Sequence, residues 1–270
     1  MTPLVSVILP TYNWKDEWIS KSIESVLNQT FKDFELIIIN DCSKNNVEEV
    51  IKRYQKNDSR IIYLKNEENL KITKTLNRWI SVAKWKYIAR IDDDDIWNDN
   101  KKLEKQVEFM ENNEDYWLCW VWRIVKINEN WDVVDELKLK CSDRELRESI
   151  LQCNQFAHPS VLLRKSILDE VWVYDPQWNM VEDYELWLRI WLKSKFSNLE
   201  NTSIKYRINS KWISSTNKKK QMQLWWRLYF KYCKFYPWAF KAFILRIWDF
   251  VINERYNLLV LNRLKKYWLI

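Results

Sequence analysis

The chain has 270 residues, 47% of them hydrophobic, and a formal net charge of +7, ample apolar content for the core of one large domain, or of one domain with an appendage. Its five cysteines (Cys42, Cys119, Cys141, Cys153, Cys233) have no CxxC spacing, which argues against a zinc ribbon or a disulfide framework and fits a reducing cytoplasm. No apolar run approaches the ~18 residues that span a bilayer, and the opening MTPLVSVILP lacks the basic-then-apolar signature of a signal peptide.

The first hundred residues alternate regularly. LVSVILP (4–10) is an apolar run of strand length, and apolar residues then recur at helical spacing from Ile19 to Leu27. FELIIIN (34–40) is a second strand, apolar and β-branched as a strand buried on both faces should be. A helix follows, with Asn46 and Glu49 spaced as a capping box and Val47, Val50, Ile51 and Tyr54 on one face. RIIYLKN (60–66), a helix over about 73–84 and KYIARI (86–91) complete the series. Strand–helix alternation of this kind predicts an α/β fold with a mostly parallel, doubly wound sheet.

The second half changes character. A helix around 99–111 precedes two strand-like runs, YWLCWVWRIVKI and DVVDELKLK, joined through Asn130 and Trp131. A helical stretch near 143–152, a strand at 158–165, a helix at 182–191 and a strand at 202–208 follow. From about 218 the pattern is helical, basic and aromatic. Eight Lys and four Arg against Asp249 and Glu254 give residues 218–270 a net +10, which leaves about −3 on residues 1–217. A slightly acidic body with a basic aromatic tail argues against nucleic acid as a partner. It suits helices that lie on an anionic membrane surface, the alternative being an amphipathic layer packed on the sheet.

The joint between the paired strands is anomalous. A two-residue type I′ hairpin loop needs positive φ at both central positions and favours Asn-Gly. Asn130 suits the first position, whereas Trp131 at the second would be an outlier. The chain contains no Gly and 19 Trp, where average usage of about 7% Gly predicts roughly 19 glycines. Trp79, Trp85, Trp172 and Trp238 also occupy glycine-like settings, whereas Trp97 and Trp187 sit where a tryptophan belongs. Many of these tryptophans are therefore expected to be glycines in the cell, through a UGA codon read there as glycine, the alternative being a genuinely Trp-rich protein.

In open parallel α/β sheets, ligands bind beyond the carboxyl ends of the strands. PTYN (10–13), NDCS (40–43) and DDDD (92–95) all follow strands in this way. Adjacent carboxylates repel unless a cation neutralises them or they splay into water. An all-oxygen ligand set suits Mg²⁺ or Mn²⁺, and such an ion completes its shell with substrate phosphates. An isolated acidic run is more often a solvated loop; its place after an apolar strand favours a site. The acidic start of EDYELWLRI (182–190) can equally serve the helix dipole.

These segments, in this order and spacing, resemble the GT-A glycosyltransferases of the large inverting family 2. VSVILPTYN is similar to the family's opening strand and nucleotide loop, IIINDCS to its second-strand DDGS segment, and YIARIDDDDIW to its DxD segment. HPSVLLRKSILDEVWVYD followed by EDYELWLRI is similar to its acceptor side and ED motif. The resemblance covers roughly residues 4–215. Cys42, Lys71 and Trp172 stand where the family has glycine, and no QxxRW follows, which disfavours a processive membrane synthase.

The resemblance implies a Rossmann-like, mostly parallel sheet flanked by helices. It implies a GT-A domain over 1–217 (nucleotide half about 1–115, acceptor half about 116–217), with 218–270 as a basic helical tail. By the same resemblance Asp41 would hydrogen-bond the nucleotide base, with Pro10, Thr11 and Tyr12 lining that pocket. Asp92 would lie by the ribose and sugar, and Asp94 would hold the metal, Mn²⁺ or Mg²⁺. Asp93 and Asp95 would support the loop. Asp183 would be the general base and Glu182 a helix cap or acceptor contact. His158, the single histidine, would touch diphosphate or acceptor, or serve a structural role.

The implied activity is metal-dependent, inverting transfer of a sugar from a UDP-sugar to a hydroxyl of a cell-surface glycan or lipid-linked acceptor. It would be cytoplasmic, peripheral on the inner face of the cell membrane. Two alternatives are an inactive nucleotide-sugar-binding module and a Rossmann-type oxidoreductase. PTYNWKDEW yields no GxGxxG even with every Trp changed to Gly, which disfavours the second.

Overall fold

The computed structural model describes residues 4–81, 83, 85–208 and 217–255. Strands β1 (Val5–Thr11), β2 (Phe34–Asn40), β3 (Ile61–Lys65) and β4 (Tyr87–Arg90) alternate with helices α1 (Asp16–Leu27), α2 (Val47–Asn57) and α3 (Lys71–Ile80). β1 pairs in parallel with both β2 and β4, and β2 with β3. Their side chains divide between two cores, one on each face. Ile8, Ile37, Ile39 and Ile88 point one way, while Val7, Leu9, Leu36, Ile38 and Ala89 point the other. That two-sided burial is why the strands read as continuous apolar runs.

After α4 (Lys102–Asn112) come β5 (Tyr116–Ile127), β6 (Val133–Lys138), α5 (Asp143–Ser149), β7 (Leu162–Arg164), α6 (Ser166–Val171), α7 (Glu182–Trp191) and β8 (Lys195–Arg207). They extend the sheet to the order β3-β2-β1-β4-β7-β5-β6, with β8 parallel beside β5. β7 is antiparallel to both β4 and β5, so the sheet is mostly rather than wholly parallel.

Several expectations change in detail. The strand expected at 158–165 begins as a 3-10 turn, His158–Ser160, and only Leu162–Arg164 joins the sheet. Pro159 has no N–H for a ladder, and Ser160 N–H turns back to the Ala157 carbonyl at 2.9 Å. The last strand starts at Lys195, earlier than 202. Asn46 makes no side-chain cap because its backbone (φ −79°, ψ 16°) is not extended. The capping box forms instead at Ser142 and Glu145. The helix expected over about 73–84 runs instead from Lys71 to Ile80, with Ser81 at its C-cap, and the tail beyond 255 lies outside the described residues.

The β5–β6 hairpin also differs from the two-residue loop. Trp131 N–H donates to the Asn128 carbonyl at 3.2 Å and Asn128 N–H to the Asp132 carbonyl at 3.0 Å. Of the loop residues only Trp131 has positive φ (72°). This is the longer turn-plus-left-handed-residue arrangement, and it still calls for glycine at 131. Cys42 (φ 63°), Lys71 (φ 63°) and Trp172 (φ 69°) share the left-handed region, so all three departures from the family's glycines occur where glycine is conformationally favoured.

Helix α8 (Lys218–Tyr232) packs onto the body. Leu224, Trp225, Leu228, Tyr229 and Tyr232 enter the same core as α7. Buried Glu185 on α7 accepts from Lys231 Nζ at 3.0 Å and from the Tyr232 hydroxyl at 2.8 Å. Helix α9 (Ala239–Arg255) follows.

Trp172 combines φ 69° with ψ 165°, a region essentially reserved for glycine and costing about 1–3 kcal/mol otherwise. Its side chain is 79% exposed, so little packing offsets the strain. Trp131 recovers part of its cost by donating to Glu17 at 2.8 Å. Trp172→Gly is therefore expected to raise unfolding free energy by about 1–3 kcal/mol and Trp131→Gly by less, measured by urea denaturation. A Trp172→Gly protein no more stable than its parent would contradict the strain assignment.

Candidate active site

The ends of β1 and β2 are laced together at the carboxyl edge. Asp41 N–H donates to the Thr11 carbonyl at 2.9 Å, Asn13 N–H to the Ser43 hydroxyl at 3.0 Å, and Lys44 N–H to the Asn13 side chain at 2.7 Å. Pro10 and Thr11 are buried in β1, whereas Tyr12 is 41% exposed at the rim.

Asp41 is the anchor of this half. Its Oδ1 accepts from Asn66 Nδ2 (2.7 Å), Leu70 N–H (2.9 Å) and the Thr75 hydroxyl (3.0 Å), and Oδ2 from Lys71 N–H (2.9 Å). The carboxylate thereby holds the N-terminus of α3 against the sheet. Oδ2, with a single donor, retains acceptor capacity for a ligand. The left-handed backbone at Lys71 is what turns its N–H toward Asp41.

Beyond β4 the chain turns through Asp92–Asp95. Asp93, Asp94 and Asp95 are all buried. Burial and the neighbouring Asp94 push the carboxyls of Asp93 and Asp95 well above the usual range. Asp95 Oδ1 accepts from Arg207 N–H at 2.8 Å, while Oδ2 has no hydrogen-bond partner. Asp95 is thus a buttress for the loop. Among the described residues no trio of His, Cys, Asp or Glu converges as a metal cluster. The crowded all-oxygen donors still fit a hard divalent ion that takes one carboxylate from the protein and the rest of its shell from a diphosphate.

The acceptor-side carboxylates meet this loop through Arg90. Its Nη2 lies 2.6 Å from Asp92 Oδ1, and its Nη1 contacts His158 Nδ1. His158 Nε2 is 2.7 Å from the Tyr174 hydroxyl. Because a guanidinium only donates, Nδ1 must be the acceptor and Nε2 the protonated nitrogen. Burial and Arg90 also hold His158 well below the ordinary imidazole range. The 3.9 Å separation of His158 Nδ1 from Asp183 Oδ2 is accordingly not an ion pair. The ring of His158 is thus engaged on both sides.

Asp183 sits in the first turn of α7, half-buried, accepting from Asn154 Nδ2 at 3.2 Å. Burial pushes its carboxyl above the usual range against the pull of the Tyr184 backbone, Arg90 and Asn154. Glu182 accepts Met180 N–H at 2.7 Å and is pushed up to about 7 by burial and by Asp183. Two carboxylates side by side with raised proton affinity are suited to proton transfer.

Sequence reading missed three partners. Arg90 carried a signal, as a charge inside the otherwise apolar strand YIARI. Tyr174 and Arg207 carried none, since their roles depend on contacts across the fold. Arg207 donates from Nε to the Asp94 carbonyl at 3.1 Å and from Nη1 to the Asn128 carbonyl at 2.6 Å. Its guanidinium is sandwiched between Trp18 (4.1 Å) and Trp131 (3.9 Å).

Comparison with known proteins gives this geometry a setting. Residues 6–172 match the family model described as Glycosyl transferase family 2. The chain is 39% identical over 223 residues to an uncharacterized glycosyltransferase of Methanocaldococcus jannaschii, covering 81% of this chain and 76% of the relative. It is 32% identical to the UDP-Glc:alpha-D-GlcNAc-diphosphoundecaprenol beta-1,3-glucosyltransferase WfgD of Escherichia coli, covering 83% and 84%. The fold is similar to S. aureus TarS residues 1–349 in complex with UDP, with a TM-score of 0.62 at 19% identity, covering 83% of this chain and 65% of that one. It is also similar to the mannosyltransferase PcManGT of Pyrobaculum calidifontis, with a TM-score of 0.69 at 12% identity, covering 98% and 79%.

Proposed function

The chain belongs to glycosyl transferase family 2, and from that premise we propose that it transfers a hexosyl group from a UDP-sugar to a hydroxyl of a lipid-linked glycan, with inversion at the anomeric carbon. Family membership removes the oxidoreductase alternative. The observation that carries the reading is the bridge from Asp92 through Arg90 to His158, whose Nδ1 lies 3.9 Å from Asp183 Oδ2, which supports a donor side and an acceptor side facing one another. A UDP-sugar and a lipid diphosphate acceptor are supported by the names of relatives such as WfgD.

In this reading the Asp183 carboxylate takes the proton of the acceptor hydroxyl as that oxygen bonds to the anomeric carbon. The bond from the same carbon to the diphosphate oxygen breaks on the opposite face, so one displacement inverts the centre. Burial that raises the proton affinity of Asp183 makes it a stronger base than an exposed aspartate. Asp41 and the β1 loop hold the nucleotide end. Mn²⁺ or Mg²⁺ held by Asp94 would neutralise charge on the departing diphosphate.

Asp183→Asn should lower kcat on the order of 100-fold or more while leaving donor affinity nearly unchanged, and Asp94→Asn should abolish thermal stabilisation by UDP plus Mn²⁺. The assignment fails if Asp183→Asn keeps near-normal turnover in a screen of UDP-sugars. Stabilisation of the parent by UDP and Mn²⁺ without any turnover would favour the inactive binding module.

The tail supports a peripheral membrane location. Phe230, Phe235, Trp238, Phe240, Ile244 and Trp248 are exposed among basic residues of the +10 segment, a combination that fits anionic lipid. Among the described residues no helix is long and apolar enough to cross a membrane. The full-length protein should co-sediment with phosphatidylserine-containing vesicles at low salt, and Phe240→Glu with Trp248→Glu should release it without loss of stability. A parent protein that stays in the supernatant would refute this part.

A further inference from the structure

Arg90 closes β4 with a buried guanidinium that faces two ways. Nη2 holds Asp92 Oδ1 on the donor side at 2.6 Å. Nη1 holds His158 Nδ1 on the acceptor side, and that ring is fixed from behind by Tyr174 at 2.7 Å. Nε has no partner, so the two terminal nitrogens carry the hydrogen bonding. We propose that Arg90 is a positioning residue that fixes Asp92 and His158 in one rigid frame beside Asp183, setting the spacing between donor and acceptor. This deepens the glycosyltransferase reading above and rests on it.

The physical reason is the planar guanidinium, whose terminal donors keep a fixed angle, whereas a lysine ammonium is one flexible point charge. The titratable and charged groups facing Asp183 are Arg90 from β4, Asp92 from the loop after it, His158, Tyr174 from the segment before α7, Glu182 beside it and Tyr206 from β8. Arg90 is the cation in that set, so its loss removes both the bridge and the charge that favours the Asp183 carboxylate.

Arg90→Gln and Arg90→Lys separate the two effects. Arg90→Gln should lower kcat on the order of 100-fold, as expected for displaced reacting groups, and move the acidic limb of the kcat–pH profile to higher pH. Arg90→Lys should return that limb toward its original position while kcat stays low, because one ammonium cannot hold both partners. Lys variants that turn over like the parent, or an unmoved limb in a folded Gln variant, would overturn the proposal; if Arg90→Gln does not fold, turnover of Arg90→Lys decides alone. Asp183→Asn in parallel tells the two failures apart: its normal turnover sinks the glycosyltransferase reading, whereas its inactivity beside normal Arg90→Lys turnover sinks the positioning role only.

A second inference joins the backbone to the composition. The left-handed residues include Trp131 and Trp172, the latter at φ 69° and ψ 165°, and Trp117 occupies a bulge where β5 slips against β8. Glycine is the residue such positions select, yet the chain has none and carries 19 Trp. Buried indole N–H groups of Trp79, Trp178 and Trp187 lack acceptors; Trp187 lies inside an aromatic cluster, so an orphaned indole alone does not mark a glycine, and the backbone does. The structure assigns glycine to residues 131 and 172 of the protein made in its own cell, through UGA codons read as glycine. The gene should carry UGA at both positions, and peptide masses from the native host should show glycine. UGG at either position overturns the assignment.

Discussion

Carboxylate crowding is the constraint around which this edge of the sheet is built. Asp92 to Asp95 come from one loop and Glu182 and Asp183 from a helix start; Asp92, Glu182 and Asp183 act on Arg90, and Asp92, Asp94, Asp95 and Asp183 on Tyr206. Several buried carboxylates without compensation would cost several kcal/mol each or take up protons. Arg90 from β4 and Arg207 from β8 provide the compensation from two sides. They do so differently. Arg90 spends its terminal nitrogens on side chains, whereas Arg207 binds carbonyls and fixes the loop's backbone path. The loop conformation and the ionisation of the site are therefore set by separate cations.

The rigidity that this arrangement needs comes from aromatic packing beneath it. Trp120, Phe156, Trp187, Trp191 and Phe196 form one contiguous cluster, with Trp120 stacked on Phe156 at 4.0 Å and Trp191 on Phe196 at 5.0 Å. His158 packs edge-on against Trp187 at 5.6 Å. Asp183 therefore projects from the first turn of a helix whose next turns are locked by large rings with few alternative rotamers. α8 holds the outer side of that helix through Glu185, and the segment after α8 holds it through the bond from the Tyr236 hydroxyl to the Leu188 carbonyl. The basic tail region is thus structural at its start, whatever its exposed aromatics touch.

Legibility in the sequence follows the range of the forces involved. β1, β2, β4 and α7 could be read because two-sided burial and helical spacing leave periodic apolar runs. The start of β8 could not, since KFSNLEN mixes polar residues on a strand whose partner is about 79 residues away in the first half of β5, Tyr116 opposite Lys195. The acidic clusters were visible as runs, but their division of labour was not. That Asp95 buttresses Arg207 while Asp92 faces Arg90 depends on side-chain direction within one loop. Arg90 was visible as a residue and invisible as a bridge, because both its partner His158 and the tyrosine behind that ring belong to the other half of the chain.

Residue 131 joins the backbone argument to the chemistry. The Trp131 ring covers Arg207 at 3.9 Å and Lys21 at 3.8 Å, and its indole N–H occupies Glu17. It therefore shields two cations beside the loop that carries Asp94. The turn itself does not need the ring: its hydrogen bonds, from Trp131 N–H and Asn128 N–H, are backbone bonds that glycine keeps. With glycine at 131 the hairpin would hold its shape while one face of Arg207 and one side of the Lys21 ammonium, which keeps its ion pair with Glu17 at 3.3 Å, lose the ring that covers them. In the reading proposed above, positive charge next to Asp94 would stabilise a departing diphosphate. The residue that best suits the turn is thus also the one that leaves the cations available, so conformational and electrostatic demands select glycine at the same position.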